Sequence, residues 1–224
     1  PTVLVIRPDG PFSSKLRVDG FDIVDLELVR TEPLDDLTDA NEKISVIENY
    51  DGIFFTSPVS ASVFGERLRV KRPGYAPKIY ALGDRARSVL EKFGFAVEHV
   101  KNANTAADLL AGFEASEFSG KRFLYVRGET SLRAIPELLG KLAEVDEVTV
   151  YRTVAVEPPP EILSKIGERL RKGEFEVVCF FSPSGVERFE KLFPTQKANR
   201  IKAAAIGETT AASATSAGYQ AVFV

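Results

Sequence analysis

The run FFTSPVSASVF at residues 54–64 returns, altered but recognisable, as FFSPSGVERF at residues 180–189. In both, an apolar run closing on two phenylalanines breaks into Ser-Pro and small residues and then into an amphipathic stretch. That order is the pattern of a strand, a tight turn and a helix start. Serine favours the N-cap, and proline in the first helical position loses an N–H that would be unbonded anyway. Two copies of one strand-turn-helix unit imply a duplicated architecture.

Working outward, the duplication lengthens. KIYALGDRARSVLEKFGFAVEHV (78–100) matches KAAAIGETTAASATSAGYQAVFV (202–224) without a gap, with Gly83 over Gly207, Gly94 over Gly218 and Phe95 over Tyr219. VLVIRP (3–8) falls over FLYVRG (123–128), and LVRT (28–31) over VYRT (150–153). Apolar runs predict ten strands, at 2–7, 23–29, 52–57, 78–83, 96–100, 122–127, 147–153, 176–182, 203–207 and 221–224. Helical patterns fill most gaps, among them TDANEKISVIEN, DRARSVLEKFG, TAADLLAGFEA, LRAIPELLGKLA and PEILSKIGERLRKG. Alternation of this kind predicts an α/β fold of two doubly wound, flavodoxin-like parallel-sheet domains, five strands to each copy.

Pro-rich, acidic stretches interrupt the two copies at matching places, VRTEPLDD (29–36) and YRTVAVEPPPE (151–161). Proline stiffens an extended connection and ends sheet pairing. Read as crossings between domains, they predict exchanged connectivity: residues 1–31 plus 157–224 in one domain, 36–151 in the other, with 29–36 and 151–161 as a two-stranded linker. The lobes are then expected to face a shared cleft.

Composition narrows the chemistry. Hydrophobic residues make up 44% of the 224 and charged residues 27%, a globular balance. The formal net charge of −3 gives no basic surplus for nucleic acid. RLRVKR (67–72) and RLRK (169–172) each close a predicted helix, where cations suit the dipole. No apolar run is long enough to span a membrane, and PTVLVIRPDG enters a strand pattern without a secretory leader, so a cytoplasmic setting is expected. Cys179 is the single cysteine and His99 the single histidine, which removes disulfide frameworks and multi-cysteine or two-histidine metal sites. A buried structural Cys179 and a packing or surface His99 are expected.

The chemistry gathers at four turns: Thr56-Ser57-Pro58, Gly83-Asp84, Ser182-Pro183-Ser184-Gly185 and Gly207-Glu208-Thr209-Thr210. Helix starts at the carboxyl edge of a parallel sheet expose N–H groups and a positive dipole end to an anion, and hydroxyls add donors. Any one such turn is more often a plain helix cap; four matched turns favour binding. Neither G-x-x-x-x-G-K-[ST] nor G-x-G-x-x-G is present, which argues against a nucleotide, and no metal motif or acidic receiver pocket assembles.

FFTSP, YALGDRARSVLEKFG, FLYVRG, VTVYRT, FFSPSGVERF and AAIGETTAASATSAG, in this order and spacing, resemble the uroporphyrinogen-III synthase family. The resemblance covers most of the chain. It implies a cofactor-independent, metal-free lyase that cyclises hydroxymethylbilane to uroporphyrinogen III. Ring D is inverted through a spiro intermediate, on the route to haem, sirohaem, cobalamin or chlorophyll. It further implies a monomer that binds this small polycarboxylate, with transient contact to the preceding pathway enzyme and neither nucleic acid nor membrane as partner. Helix-start amides would hold such an anion on a net negative protein.

The same resemblance points to Tyr151 as the group near the departing hydroxyl, although a strand tyrosine is more often packing. It assigns Ser57, Gly83, Thr105, Arg127, Ser182, Ser184, Gly185, Lys202, Thr209 and Thr210 to substrate binding, and Arg7 matches Arg127 at the end of the other copy's first strand. Val59 and Glu208 depart from the family pattern: the first removes a donor, and the second brings a carboxylate to an anion site. A non-enzymatic two-lobed anion sensor is the alternative reading, and a flavodoxin-like electron carrier a weaker third.

Overall fold

Ten strands form in the computed structural model, which describes residues 1–194 and 201–223, the side chains of 221–223 excepted. They are β1 (Thr2–Val5), β2 (Asp22–Asp25), β3 (Val29–Pro33), β4 (Gly52–Phe55), β5 (Ile79–Ala81), β6 (Arg122–Gly128), β7 (Glu144–Ala155), β8 (Val177–Phe180), β9 (Lys202–Ala205) and β10 (Gln220–Phe223). Val224, in the predicted last strand, lies outside the described residues. Two five-stranded sheets result, ordered β10-β9-β8-β1-β2 and β3-β7-β6-β4-β5. The pairings of β1 with β2 and β8, of β9 with β8 and β10, of β4 with β5 and β6, and of β6 with β7 are all parallel.

The chain divides into two units, Pro1–Arg30 with Val154–Val224, and Thr31–Thr153. The first thus joins β1 and β2 of the first copy to β8, β9 and β10 of the second; the other joins β4 and β5 to β6 and β7. Both dividing points fall inside strands, β3 and β7, which are neighbours in one sheet. Residues 29–33 are therefore not a proline-stiffened connection free of pairing: they form an edge strand with Pro33 as its last residue, where a missing N–H is tolerated. The Leu34 N–H still donates to the Val150 carbonyl at 3.0 Å.

Two predicted strands are corrected. IVDLELV (23–29) is not one strand. β2 stops at Asp25, and Leu26 and Leu28 are buried in the first unit's core before the chain enters β3 in the other sheet. AVEHV (96–100) is not a strand but a single parallel bridge, Glu98 with Tyr80. Glu98 N–H donates to Ile79 O at 2.7 Å and Ala81 N–H to Glu98 O at 3.0 Å. Val97 and Val100 pack on opposite core clusters, so side chains rather than a ladder hold the segment.

Both faces of each sheet are covered, because successive strand residues point to opposite sides. In the Thr31–Thr153 unit, Ile53, Phe55, Leu124 and Val126 pack on one face with Ile44 of α2 (Thr38–Ser45), Phe64 and Leu68 of α3 (Pro58–Lys71) and Leu90 of α4 (Asp84–Lys92). Phe54, Tyr80, Phe123 and Tyr125 fill the other with Leu109 of α5 (Ala106–Ala111) and Ile135 of α6 (Ala134–Leu139). The Phe54 and Tyr80 rings stack at 4.6 Å and Phe123 meets Phe54 edge-on at 5.4 Å, contacts worth about 0.5–1.5 kcal/mol each beyond burial. In the other unit, Val3, Val5 and Cys179 form a smaller cluster with Leu16 of α1 (Pro11–Val18) packed against it. Leu4, Val178 and Phe180 face Ile166 of α7 (Pro160–Arg171), Val186 and Phe189 of α8 (Pro183–Leu192) and Ala214 of α9 (Glu208–Ser216).

No helix among the described residues is long and apolar enough to cross a membrane. Cys179 is buried, and burial raises its thiol to about 11.

Candidate functional site

Since the strands flanking them are parallel, the turns after β4, β5, β6 and β8, β9 lie at the carboxyl edges of their own sheets. Ser57 and Ser182 have matching extended backbones, φ −144° and −161°, and each caps the helix that follows. Ser57 Oγ accepts the Ser60 N–H at 3.0 Å and Ser182 Oγ the Gly185 N–H at 3.1 Å. With Pro58 and Pro183 lacking a donor, each first turn keeps one N–H that the cap does not use, on Val59 and Ser184. The Ser184 hydroxyl lies 3.1 Å from Ser182 Oγ. Gly185 is buried, and a Cβ there would sit 3.3 Å from Ser182 Oγ.

Gly83 and Gly207 match just as closely, at φ 81° and 84°, the left-handed region that favours glycine. Neither helix has a side-chain cap, so α4 offers the N–H groups of Asp84, Arg85 and Ala86, and α9 those of Glu208, Thr209 and Thr210. The glycine turns therefore carry more open donors than the serine turns. Thr209 is exposed, whereas Thr210 is 4% exposed and packs inward. Asp84 engages Arg87 at 3.7 Å, which draws its charge toward its own helix.

Three of the predicted substrate contacts stand away from the carboxyl-edge donors or are already engaged within the chain. Lys202 opens β9, in register with Val177 and Gln220 at the amino end, so it lies at the opposite edge of the sheet from Gly207. Thr105 caps the short α5 in a reciprocal box with Asp108, whose carboxylate takes the Asn104 and Thr105 N–H groups at 3.1 and 2.9 Å. The N–H groups of Asn104, Thr105 and Asp108 are thus already occupied within the chain. Arg127 is only 14% exposed: its guanidinium pairs with Glu147 at 2.9 Å and donates to the carbonyls of Ser131 at 2.6 Å and Glu129 at 3.3 Å. Its Nε is buried without a partner among the described residues. Arg7, its counterpart, lies over the Phe181 ring at 4.6 Å.

Tyr151 stands on β7 in register with Gly128, the last residue of β6. Strand order β7-β6-β4-β5 puts the Tyr151–Gly128 pair and the turns after β4 and β5, which hold Ser57 and Gly83, along the same carboxyl edge. Ser131, which the sequence reading missed, closes the turn after β6: its Oγ accepts the Gly128 N–H at 3.0 Å and lies 3.3 Å from the Tyr151 hydroxyl. Beside it the Tyr125 hydroxyl donates to Leu132 O at 3.1 Å and, having spent its one proton, accepts from Thr56 at 2.9 Å. Burial raises the Tyr125 phenol, keeping it a donor. Glu147 is a second omission. It bridges Arg127 and Arg133 and so fixes both ends of the 128–133 turn. For Ser131 the available signal was a polar run, GETS (128–131), directly after a strand.

His99 Nε2 accepts a hydrogen bond from the Arg87 guanidinium. Among the described residues no three His, Cys, Asp or Glu side chains gather in a metal-holding group. What the edges offer is amide and hydroxyl donors together with the phenols of Tyr151 and Tyr125.

A family profile described as uroporphyrinogen-III synthase HemD matches residues 10–224. The uroporphyrinogen-III synthase of Chlorobaculum parvum is 31% identical over 219 residues, covering 93% of this chain and 86% of that protein. A mutant uroporphyrinogen III synthase from the extremely thermophilic bacterium Thermus thermophilus superposes with a TM-score of 0.64 at 17% identity, over 100% of this chain and 91% of that one. For uroporphyrinogen-III synthetase from Helicobacter pylori the values are 0.61 and 14%, over 99% and 91%. These structural likenesses show a shared mixed α/β fold. The sensor reading gains no support from these relatives.

Proposed function

Because the chain belongs to the uroporphyrinogen-III synthase family, we propose that it cyclises hydroxymethylbilane to uroporphyrinogen III with ring D inverted, as a cofactor-independent lyase. The observation that carries this reading is the family match over residues 10–224. The doubly wound, flavodoxin-like description of each unit, exchanged between copies, belongs to the same reading and is supported by the order 2-1-3-4-5 of strands β2, β1, β8, β9 and β10.

The reaction balances without a redox partner. The terminal hydroxyl leaves with a proton as water, and the resulting azafulvene cation is attacked by the substituted α-carbon of ring D. That carbon then holds two bridge carbons in a spiro centre; the older bond breaks, the freed bridge carbon bonds to the open α-position, and a proton departs. The net change is loss of water. What a protein must add is a proton donor, anion-holding groups and exclusion of solvent.

In this reading Tyr151 serves the departing hydroxyl. The helix-start donors at Ser57, Gly83, Ser182, Ser184, Thr209 and Thr210 hold carboxylates, each contact adding about 0.3–1 kcal/mol, whereas the N–H of Gly185 stays with the Ser182 cap. Arg127 acts from behind as a brace for the 128–131 turn, since both of its terminal guanidinium nitrogens are already bonded within the chain. Thr105 and Lys202 take lesser parts for the reasons of position given above. A monomeric, cytoplasmic enzyme meeting its predecessor only transiently completes the proposal.

Incubation with freshly generated hydroxymethylbilane, followed by separation of product isomers, tests it. The III isomer in excess is expected. Formation of the I isomer alone, at the rate of a protein-free blank, would overturn it.

A further inference from the structure

Ser131 is tied to both halves of the Tyr151 environment. Its Oγ accepts the N–H of Gly128, the residue facing Tyr151 across the β6–β7 ladder, and sits 3.3 Å from the Tyr151 hydroxyl. The backbone around it is clamped from the side: Arg127 donates to Ser131 O at 2.6 Å and to Glu129 O at 3.3 Å, while Glu147 holds Arg127 and Arg133 together. The buried guanidinium and its carboxylate thus fix a turn whose one hydroxyl meets the tyrosine.

Either hydroxyl has a proton to give in that contact, and polarisation of Ser131 sets its direction. Accepting the Gly128 N–H polarises the Ser131 hydroxyl and makes its own proton the better one to donate. A phenol that accepts from Ser131 keeps its single proton for an acceptor outside the cluster. The neighbouring Tyr125 cannot compete, since its hydroxyl is committed to Leu132 O and Thr56.

We propose that Ser131 is a positioning residue for the reaction: it donates to the Tyr151 oxygen and so aims the phenolic proton at the departing hydroxyl of the substrate. This rests on the synthase reading above. Ser131 does not itself touch substrate; it acts through Tyr151. Arg127 and Glu147 support it by holding the turn.

The test compares wild type, Ser131→Ala, Ser131→Thr, Tyr151→Phe and the Ser131→Ala/Tyr151→Phe double variant on hydroxymethylbilane, with thermal unfolding run in parallel. Wild type forming only the I isomer would refute the synthase reading itself. Given a wild type that forms the III isomer, Ser131→Ala is expected to lower kcat about five- to tenfold with KM little changed, the worth of one hydrogen bond. Ser131→Thr should restore most of it, and the double variant should be no slower than Tyr151→Phe. Should Ser131→Ala lose its cooperative unfolding, Ser131→Cys, of similar size but a poor donor, replaces it in the same comparison. Undiminished kcat in the alanine or cysteine variant, or losses that multiply in the double variant, would overturn the role of Ser131.

Discussion

The Tyr151 ring lies across Gly128: a methyl group built on Gly128 would stand 2.3 Å from Cζ and 2.5 Å from Cε2 of the tyrosine. No side chain larger than hydrogen fits between that strand end and the ring, so glycine here is a condition of where the phenol sits. Gly128→Ala should therefore push the ring aside. The expected cost is about 1–3 kcal/mol in urea unfolding, as for other overpacked sites, together with a large loss of turnover. Unchanged stability and activity would show that the ring moves freely.

Tyr151→Phe separates chemistry from packing, because it keeps the ring over Gly128 and removes only the hydroxyl. Turnover of hydroxymethylbilane should fall by about 10²-fold or more, the usual weight of a general acid. The unfolding midpoint should stay near that of wild type. Equal rates for the two proteins would remove Tyr151 from the reaction.

These two residues also show how far the sequence could be read. The paired FFTSP and FFSPS runs made the strand-turn-helix units legible, since Ser-Pro at a helix start has one local meaning, and the glycine match of Gly83 with Gly207 announced identical backbones. The helix-cap members of the candidate site follow from such local rules. Ser131 does not, because its partner is Tyr151, 20 positions away, and their meeting depends on the register shift between Arg127 and Gly128. Likewise nothing in the triplet around Arg127 reveals that Glu147 has already claimed its charge. At 96–100 and 23–29 the apolar pattern was real but answered to core packing, of Val97 and Val100 in one case and Leu26 and Leu28 in the other.

Asp146 offers a pH-dependent prediction away from the site. The Tyr50 hydroxyl at 2.6 Å, with Lys43 at 3.3 Å and Arg122 at 2.9 Å, holds its carboxyl below the usual range. A depressed folded value stabilises above the unfolded value, about 3.9, and that contribution is lost as pH falls through the folded one. Asp146→Asn should thus cost about 1–2 kcal/mol at pH 7. The gap from wild type should begin to narrow below about pH 4. A constant gap in urea titrations from pH 7 to pH 3 would contradict this assignment.

Cys179 supplies a check on the fold of the first unit. With the thiol buried and raised to about 11, little thiolate is present at pH 8. Ellman's reagent should react slowly with the native protein and rapidly in urea. Fast labelling without denaturant would mean that β8 is not interior.

Inversion exchanges one bond to ring D for another. Hydroxymethylbilane carrying carbon-13 both in the bridge carbon between rings C and D and in the ring D carbon bonded to it reports this directly by NMR. Ring inversion breaks that bond, so the one-bond carbon–carbon coupling should vanish from the cyclised product while both labels remain. A product that retains the coupling would have closed without inversion, and the account of this chain as the synthase would be contradicted.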